Sequence, residues 1–321
     1  MQAIIAAFAS QPAPLLWGLA GVLAALTLGA LAAVLLPRLK PGRDYRNLQE
    51  RMASWWVMAA LIAGALLGGW ATTTALFTLI SFLALKEFLS LAPVSREDRP
   101  LILASYLVIL ASYGFVVVGQ YMFYVLFIPV YVFIVMPFAM ACLGQTKSYL
   151  PRASLFHWGL VTCVYNLGFI ALLMRVPAAE APQAGAAGLV FMLLLATEAN
   201  DVLQYVTGKL FGRRKIMPKV SPNKTWEGFL GGWILTAILI VLVAPQLTPL
   251  RGVGLYIMAL TLPLAGFAGD VTMSAVKRDI GVKDTSSFIP GHGGVLDRAD
   301  SLVFTAPLYF HVMAYFALST Y

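Results

Sequence analysis

Residues 53–91 read ASWWVMAALIAGALLGGWATTTALFTLISFLALKEFLSL, an apolar run that contains only one lysine and one glutamate. A membrane-spanning helix needs roughly 20 predominantly apolar residues, so this run is too long for one span and long enough for two. Gly68 and Gly69, followed by Thr72–Thr74, offer a turn in its middle, because glycine adopts turn conformations that other residues disfavour. The stretch therefore predicts a helical hairpin across a membrane.

The composition of the whole chain also indicates a membrane protein. Of its 321 residues, 60% are hydrophobic and only 11% are charged, whereas about a quarter of an average soluble protein is charged. This balance excludes a soluble domain, a disordered chain, a disulfide scaffold and a coiled coil. The two cysteines lie in apolar runs and imply no thiolate metal site. The net charge of +8 leaves nucleic acid, anionic lipid or an anionic substrate as the partner.

Further apolar runs on both sides of this stretch are long enough to span a membrane. They are Leu15–Leu36, Leu101–Val118, Met122–Leu143, Leu155–Met174, Leu189–Thr207, Phe229–Ala244, Val253–Ala275 and Ala299–Leu318. We therefore predict an all-α, polytopic integral membrane bundle of about ten transmembrane helices. Residues 1–14 contain no Lys or Arg, so we expect no secretory signal there.

The basic residues predict the orientation of the helices. If both termini lie outside, alternate connections hold the basic residues, and of the 22 Lys and Arg only Arg175 and Arg251 fall on the other side. Cytoplasmic loops carry the excess of Lys and Arg in membrane proteins. We therefore expect both termini outside, in a bacterial inner (cytoplasmic) membrane, with any active site on the cytoplasmic side. For the first three basic loops, topology alone accounts for the charge.

The chain changes character at residues 180–188, an Ala-, Pro- and Gly-rich connection. We interpret residues 1–180 as N-terminal scaffold helices and residues 188–321 as a C-terminal catalytic half. This half holds the predicted cytoplasmic loops 208–228 and 276–298, in which Gly, Pro, Ser, Thr and acidic residues lie among the basic ones.

Charged groups at membrane depth are costly and often mark function. Glu198 and Asp201 are three residues apart on one predicted helix, and Asp270, Ser274 and Lys277 share one face of another. The two faces point toward the same cytoplasmic side. Structural ion pairs with nearby Lys or Arg are the alternative explanation.

The loop GKLFGRRKIMPKVSPNKTWEG over 208–228 has features of a phosphate site. Lys219, Ser221, Lys224 and Thr225 lie beside glycines whose amides can approach anionic oxygens. The spacing is not that of a Walker loop. A basic loop that contacts anionic lipid headgroups is the alternative.

The stretch 270–300 reads DVTMSAVKRDIGVKDTSSFIPGHGGVLDRAD. Its five aspartates favour a hard cation, since Mg²⁺ takes oxygen ligands and commonly one or two carboxylates together with substrate phosphates. Lys and Arg in the same stretch would repel a cation unless a polyphosphate accompanies it. Metal, phosphate and membrane together suggest phosphoryl or nucleotidyl transfer to a lipid.

The turn 291–294, Gly-His-Gly-Gly, precedes a predicted helix that opens at Leu296. Free amides at a helix N-terminus can bind an anion, so we expect an anion seat there. His292 could be a base, an electrostatic donor or a turn residue. His157 and His311 are isolated in apolar segments, so we expect no zinc site.

Three successive patterns in this stretch resemble one family signature. They are Ser274-x-x-Lys277-Arg278, Lys283-Asp284 and Phe288-x-Pro290-Gly291-His292-Gly293-Gly294-x-x-Asp297-Arg298-x-Asp300. They resemble the signature of the CDP-diglyceride synthetases, also called phosphatidate cytidylyltransferases. Ser221-Pro222-x-Lys224-Thr225-Trp226-Glu227-Gly228 and Asn200-Asp201 also resemble that family, and the resemblance covers about residues 195–301.

The resemblance implies the reaction CTP + phosphatidate → CDP-diacylglycerol + pyrophosphate, with Mg²⁺ held by Asp270 and Asp297. The resemblance leaves open whether a second cation takes part. Asp201, Lys277 and Arg298 would support the metal and polyphosphate. The other candidate catalytic residues are Arg278, Asp284, His292 and Asp300. The candidate substrate-binding residues are Lys219, Ser221, Lys224, Thr225, Ser274, Lys283, Gly293 and Gly294.

One departure from the family is the run Thr197–Tyr205, where typical bacterial members have a D-[ST]-x-A-Y-like sequence. A specialised rather than housekeeping subgroup is therefore indicated. The resemblance also implies a homodimer in the lipid bilayer, and nucleic acid is no longer needed to explain the charge.

Our mechanistic hypothesis is in-line attack by a phosphatidate oxygen on the α-phosphorus of CTP. The alternatives are the same chemistry on another lipid or nucleotide, a catalytically weak assembly partner, and an ion-coupled transporter. Polar residues at one edge, not at the midplane of two related halves, argue against the transporter.

Overall fold

The computed structural model describes residues 11–39 and 44–319. Most of the segment for which we expect no secretory signal lies outside these residues, and so do both termini. Lys40 and Arg43 of the first basic loop also lie outside them.

The described chain is helical apart from one small hairpin. The helices are α1 Ala13–Leu39, α2 Arg46–Leu67, α3 Trp70–Leu91, α4 Arg99–Val117, α5 Tyr121–Leu126, α6 Phe133–Cys142, α7 Tyr149–Leu160, α8 Asn166–Leu173, α9 Gly185–Phe211, α10 Trp226–Leu247, α11 Gly252–Ile280, α12 Val295–Ala299 and α13 Leu302–Phe316. The strands are β1 Lys215–Met217 and β2 Ser221–Thr225.

Nine helical segments of the described chain are long and apolar enough to cross a membrane. The prediction of a polytopic all-α membrane bundle is confirmed. The predicted tenth span, Ala299–Leu318, is shorter than expected, because the helix is interrupted at Asp300 and Ser301 and α13 has only 15 residues. At about 1.5 Å per residue, α13 falls short of a hydrocarbon layer about 30 Å thick.

The opening stretch forms the predicted helical hairpin. α2 ends at Leu67 and α3 begins at Trp70. Gly69 has φ +91°, a conformation that is strained for residues with a Cβ. The hydroxyls of Thr72 and Thr73 both donate to the carbonyl of Ala65, so the threonines fasten the turn. The split that Gly68 and Gly69 predicted is confirmed.

Two spans contain π-helical turns. Phe127–Val132 joins α5 to α6, and Val161–Tyr165 joins α7 to α8. Pro129 lies in the first of these turns, and proline has no amide hydrogen to continue the α-helical ladder. We have no comparable local cause for the second turn.

The helices differ strongly in how much of each is buried inside the bundle. Only 6% of the apolar stretch of α1 is buried, against 67% for Tyr149–Leu173. Every residue from Leu167 to Leu173 is buried. The α8 segment therefore lies inside the bundle, whereas α1 lies at its periphery and presents apolar side chains outward, as a lipid-facing helix does.

Contacts in the described chain join the third predicted basic loop to the second, and the fifth to the first and the fourth. Arg152 of the third pairs with buried Asp98 of the second. Arg51 of the first donates to the carbonyl of Gly291 in the fifth, 3.0 Å away. Arg278 of the fifth donates to the carbonyl of Val220 in the fourth, at 3.4 Å.

The guanidinium of Arg175 lies 4.6 Å from the ring centre of Trp70 in the α2–α3 turn. The predicted orientation of the helices in the membrane stays a prediction.

Candidate active site

The loop 208–228 contains a β-hairpin that the sequence did not predict. β1 and β2 pair antiparallel, with Lys215 opposite Thr225 and Met217 opposite Ser221. The Glu227 carboxylate accepts hydrogen bonds from the amides of Arg213 and Arg214, at 2.9 and 3.2 Å, and so closes the base of the hairpin.

Thr225 lies at the N-terminus of α10. Its hydroxyl oxygen accepts from the Gly228 amide at 3.1 Å and caps the helix. Thr225 is buried. This capping contact accounts for the threonine, and its predicted role in binding phosphate stays a prediction.

Lys224 extends from the hairpin toward α11. Its Nζ lies 2.5 Å from Asp270 Oδ2 and 4.8 Å from the ring centre of Phe267. The hydroxyl of Ser274 donates to Asp270 Oδ1 at 3.2 Å. Lys224, Asp270 and Ser274, all predicted site residues, are therefore brought together.

Lys277 makes the second lysine–carboxylate contact. Its Nζ lies 2.7 Å from Asp297 Oδ1 and 3.9 Å from Asp300 Oδ2. The side chain of Lys277 is 11% exposed and that of Asp297 only 3%. A buried lysine between two carboxylates is stabilised by their charge, and each carboxylate is stabilised by it.

Asp201, Asp270 and Asp300 form what we call the acidic cluster. Asp201 Oδ2 accepts from the Ser301 hydroxyl at 2.9 Å, while its buried Oδ1 has no hydrogen-bond partner in the described chain. Burial, and then the negative charges of Asp270 and Asp201, raise the pKa of Asp300 well above its ordinary value. Repulsion of this kind is relieved by a cation.

No three Asp, Glu, His or Cys side chains within residues 11–39 and 44–319 converge closely enough to hold a metal ion by themselves. A cation at the acidic cluster would therefore complete its shell with water or substrate oxygens, as Mg²⁺ commonly does.

Asp297 differs from the acidic cluster because donors surround it. Its Oδ2 accepts from the amides of Thr285 and Gly294, at 2.7 and 2.9 Å, and from the Thr285 hydroxyl at 2.9 Å. Burial alone would raise the pKa of Asp297, but Lys277 and these donors outweigh it and hold the pKa below its ordinary value. Its predicted role as a metal ligand stays a prediction.

The expected anion seat at the start of α12 is already filled by a side chain of the protein. The amides of Val295 and Leu296 donate to the carboxylate of Glu87 in α3, at 3.0 and 2.9 Å. The expectation that these amides receive a substrate anion is therefore corrected. The helix N-terminus does attract an anion, but that anion belongs to the chain.

His292 packs as a turn residue. Its ring lies edge-on to Trp55 with centroids 5.9 Å apart, and Nδ1 is 3.4 Å from the Pro290 carbonyl. Burial, followed by the charge of Arg298, lowers the pKa of His292. The imidazole is therefore neutral near pH 7, and packing favours the turn-residue interpretation.

The other predicted site residues lie around this core. Those with exposed side chains are Lys219, Arg278, Lys283, Asp284 and Arg298. Ser221 is half-buried at the start of β2, and Gly293 has φ +83° in the turn before α12. Arg298 acts on Asp300 by charge, since it lowers the pKa of that carboxyl against the stronger effect of burial.

Several residues of the first half contact residues 284–300, which we call the signature loop, and were not predicted from the sequence. Ser54 donates to the carbonyl of Pro290 at 2.8 Å, beside the contacts of Arg51, Trp55 and Glu87. The one available signal was Glu87 itself, a carboxylate in an otherwise apolar run.

Comparison with known proteins gives one matching family model and three relatives that we describe. A family model described as "Cytidylyltransferase family" matches residues 49–316. A relative in Escherichia coli (strain K12), "Uncharacterized protein YnbB", is 39% identical over 297 residues, which cover 92% of this chain and 97% of the relative.

Two proteins called phosphatidate cytidylyltransferase match a shorter region. The one from Mycobacterium leprae (strain TN) is 43% identical over 126 residues, 38% of this chain and 39% of that protein. The one from Bacillus subtilis (strain 168) is 38% identical over 130 residues, 40% of this chain and 48% of that protein. The chain thus spans less than half the length of these two relatives. Because the family model covers most of the chain, the chain belongs to the cytidylyltransferase family of membrane nucleotidyltransferases.

Proposed function

We propose that the chain is a phosphatidate cytidylyltransferase, which transfers CMP from CTP to phosphatidate and releases pyrophosphate. The observation that supports this most strongly is the contact of two lysines with two aspartates, one half-buried and one buried, at the loop end of the bundle. Lys224 lies 2.5 Å from Asp270, and Lys277 lies 2.7 Å from Asp297. Paired opposite charges of this kind suit a substrate that arrives as a cation–polyphosphate complex.

The residues fit Mg²⁺. Asp201 Oδ1 is buried without a donor, and Asp300 is repelled by its acidic neighbours. In this proposal Asp270 and Asp297 would hold the ion, with Lys277 beside Asp297. Bound Mg²⁺ would supply Lewis-acid polarisation and a template for the phosphates. A second cation at the remaining carboxylates is compatible with the same arrangement.

The chain's own groups would act by position and charge. A phosphatidate phosphate oxygen forms a bond to the α-phosphorus of CTP, and the bond from that phosphorus to the pyrophosphate oxygen breaks. The attacking oxygen is already ionised near neutral pH, so no protein base is needed. Lys224 and Lys277 would neutralise the phosphate charge, since preorganised charges in a site shielded from water are the largest catalytic resource for such transfers.

The same proposal places the site at the cytoplasmic face of a bacterial inner membrane. Its support is the contacts that join the basic loops to one another, including those of Arg51 and Arg278. A homodimer is also proposed, on the family resemblance. Cross-linking in native membranes tests the dimer, and labelling of cysteines introduced at Lys283 or Lys219 from either side tests the orientation.

The activity test uses the full chain purified in detergent micelles. The protein is incubated with phosphatidate, Mg²⁺ and, separately, CTP, dCTP, ATP or GTP, and both pyrophosphate and lipid product are measured. We expect turnover with CTP and none in EDTA. Asp270→Asn should remove it, whereas Glu97→Gln, an exposed side chain at the same end, should not.

Other outcomes separate the alternatives. Turnover with another nucleotide, or with a different acidic lipid only, would assign the same chemistry to other substrates. No pyrophosphate with any nucleotide, together with solute uptake in proteoliposomes, would overturn the proposal in favour of transport.

A further inference from the structure

The signature loop is held by a carboxylate from the other half of the chain. Glu87 lies in the last turn but one of α3. Its Oε1 accepts from the Val295 amide at 3.0 Å and the Ser286 hydroxyl at 2.9 Å. Its Oε2 accepts from the Leu296 amide at 2.9 Å and the Thr285 hydroxyl at 3.1 Å. Four donor groups thus surround one carboxylate, although the Thr285 hydroxyl shares its single hydrogen between Glu87 and Asp297, and none of the four belongs to a lysine or arginine.

Glu87 and Asp297 are joined through one residue. The Thr285 hydroxyl lies 3.1 Å from Glu87 Oε2 and 2.9 Å from Asp297 Oδ2, and the Thr285 amide also donates to Asp297. Asp297 in turn binds Lys277. A displacement of Glu87 would therefore be passed through Thr285 and the start of α12 to the lysine–carboxylate pair of the site.

Gly294 provides independent support. Its φ is −90°, which any residue can adopt, so backbone conformation does not explain the glycine. A Cβ at this position would lie 2.4 Å from Glu87 Oε2 and 2.2 Å from the Thr285 hydroxyl. The missing side chain is what lets the carboxylate reach the amides of α12.

We infer that Glu87 is a positioning residue, which caps α12 and fixes Asp297 and Lys277 for the reaction. The test of this inference by turnover rests on the proposed function. The test by hydrogen exchange does not depend on the proposed function. Partners that orient a ligand or catalytic group typically matter by about 10- to 100-fold in activity or metal affinity.

The first experiment compares Glu87→Gln with the exposed control Glu97→Gln. Glutamine has one acceptor oxygen in place of two and carries no charge, so it cannot satisfy all four donors. We expect turnover to fall roughly 10- to 100-fold and the half-activating Mg²⁺ concentration to rise. Glu97→Gln should match the wild type in both.

The second experiment approaches the same contact from its other side. Gly294→Ala should reproduce the loss seen for Glu87→Gln, whereas Gly114→Ala, whose Cβ would meet nothing within 4 Å, should not. Because both variants break one contact, their combination should be no worse than the worse single change.

Hydrogen exchange of a peptide covering residues 285–299 provides the structural readout. Exchange at Val295 and Leu296 should accelerate in Glu87→Gln and stay unchanged in Glu97→Gln. If the wild type shows no nucleotide turnover, the proposed function fails and exchange still tests the cap.

Two results would overturn the inference. One is a Glu87→Gln protein whose turnover, half-activating Mg²⁺ concentration and hydrogen exchange all equal those of the wild type. The other is a loss of activity that only follows the fraction of unfolded protein, with the remaining enzyme showing the wild-type half-activating Mg²⁺ concentration, since a merely structural role would give that result.

Discussion

Asp297 is a buried aspartate and Asp201 a half-buried one with a buried Oδ1, yet their surroundings are opposite. Asp297 receives Lys277, two amides and a hydroxyl. Asp201 receives the Ser301 hydroxyl on Oδ2 and nothing from the described chain on Oδ1. Both would read as catalytic acids in a sequence pattern.

The difference separates two uses of a buried charge. A carboxylate whose oxygens are satisfied by the fold contributes to stability, and its removal leaves other groups unpaired. A carboxylate with a free buried oxygen destabilises the fold until a ligand completes it. Function and stability should therefore respond differently at these two aspartates.

The largest effect is expected at Asp297. Asp297→Ala should abolish turnover and also lower the free energy of unfolding by about 3–5 kcal/mol, because it leaves Lys277 buried without its close partner. Thermal denaturation in detergent measures the second effect. Asp279→Ala, an exposed aspartate of the same region, is the control, and an Asp297→Ala protein as stable as this control would contradict the comparison.

Asp201→Asn should show the opposite combination. The amide keeps an acceptor for Ser301 and removes a charge that repels Asp300. We expect turnover to fall by about 100-fold or more, with thermal stability in EDTA unchanged or increased. Turnover and melting temperature are measured in parallel on the same protein. A clear loss of stability would show that Asp201 stabilises the fold as Asp297 does and would contradict the comparison.

Metal addition sharpens the same contrast. Mg²⁺ at about 100 times its dissociation constant should stabilise the wild type by about 2.7 kcal/mol, since only the folded state binds it. The gain should be much smaller in Asp201→Asn and Asp270→Asn. Melting curves with and without Mg²⁺ test this, with Ca²⁺ as a comparison ion; equal gains in all three proteins would show that the cation binds elsewhere.

The smallest effect concerns His292, whose pKa is lowered by burial and by Arg298. A histidine with a depressed folded-state pKa stays neutral while the unfolded chain takes up protons, so its contribution is present above the unfolded value of about 6.5. Stability should fall as pH drops from there through the folded pKa. Unfolding measured from pH 7.5 to 5 should show a shallower decline in His292→Gln than in the wild type.

Much of the fold could be predicted because membranes impose strong local rules. Length and apolarity located the spans, and Gly68–Gly69 located a turn, since both signals act within a few residues. The Thr225 cap could have been predicted too, because a threonine directly before an apolar helix is a common start signal.

The candidate site could be predicted only in part. The residues in the family signature are close in sequence, and two predicted pairs do form, Lys224 with Asp270 and Lys277 with Asp297. The role of Glu87 could not be found, because its partners lie more than a hundred residues away and no periodicity reports such a contact. The break in the last helix at Asp300 and Ser301 was not predicted either; there the Ser301 amide donates to Asp300 Oδ1 at 2.8 Å and the Ser301 hydroxyl to Asp201 in α9.

The Glu87 contact has a consequence for how the chain matures. Translation delivers the capping carboxylate in the third described helix and its amide partners more than 200 residues later, at Val295 and Leu296. Until α12 emerges, a charged side chain waits in an apolar hairpin without these donors. The α12 segment therefore completes contacts with the α2–α3 hairpin, which was inserted long before. A ribosome that stops short of α12 should leave a membrane-embedded product with no assembled centre.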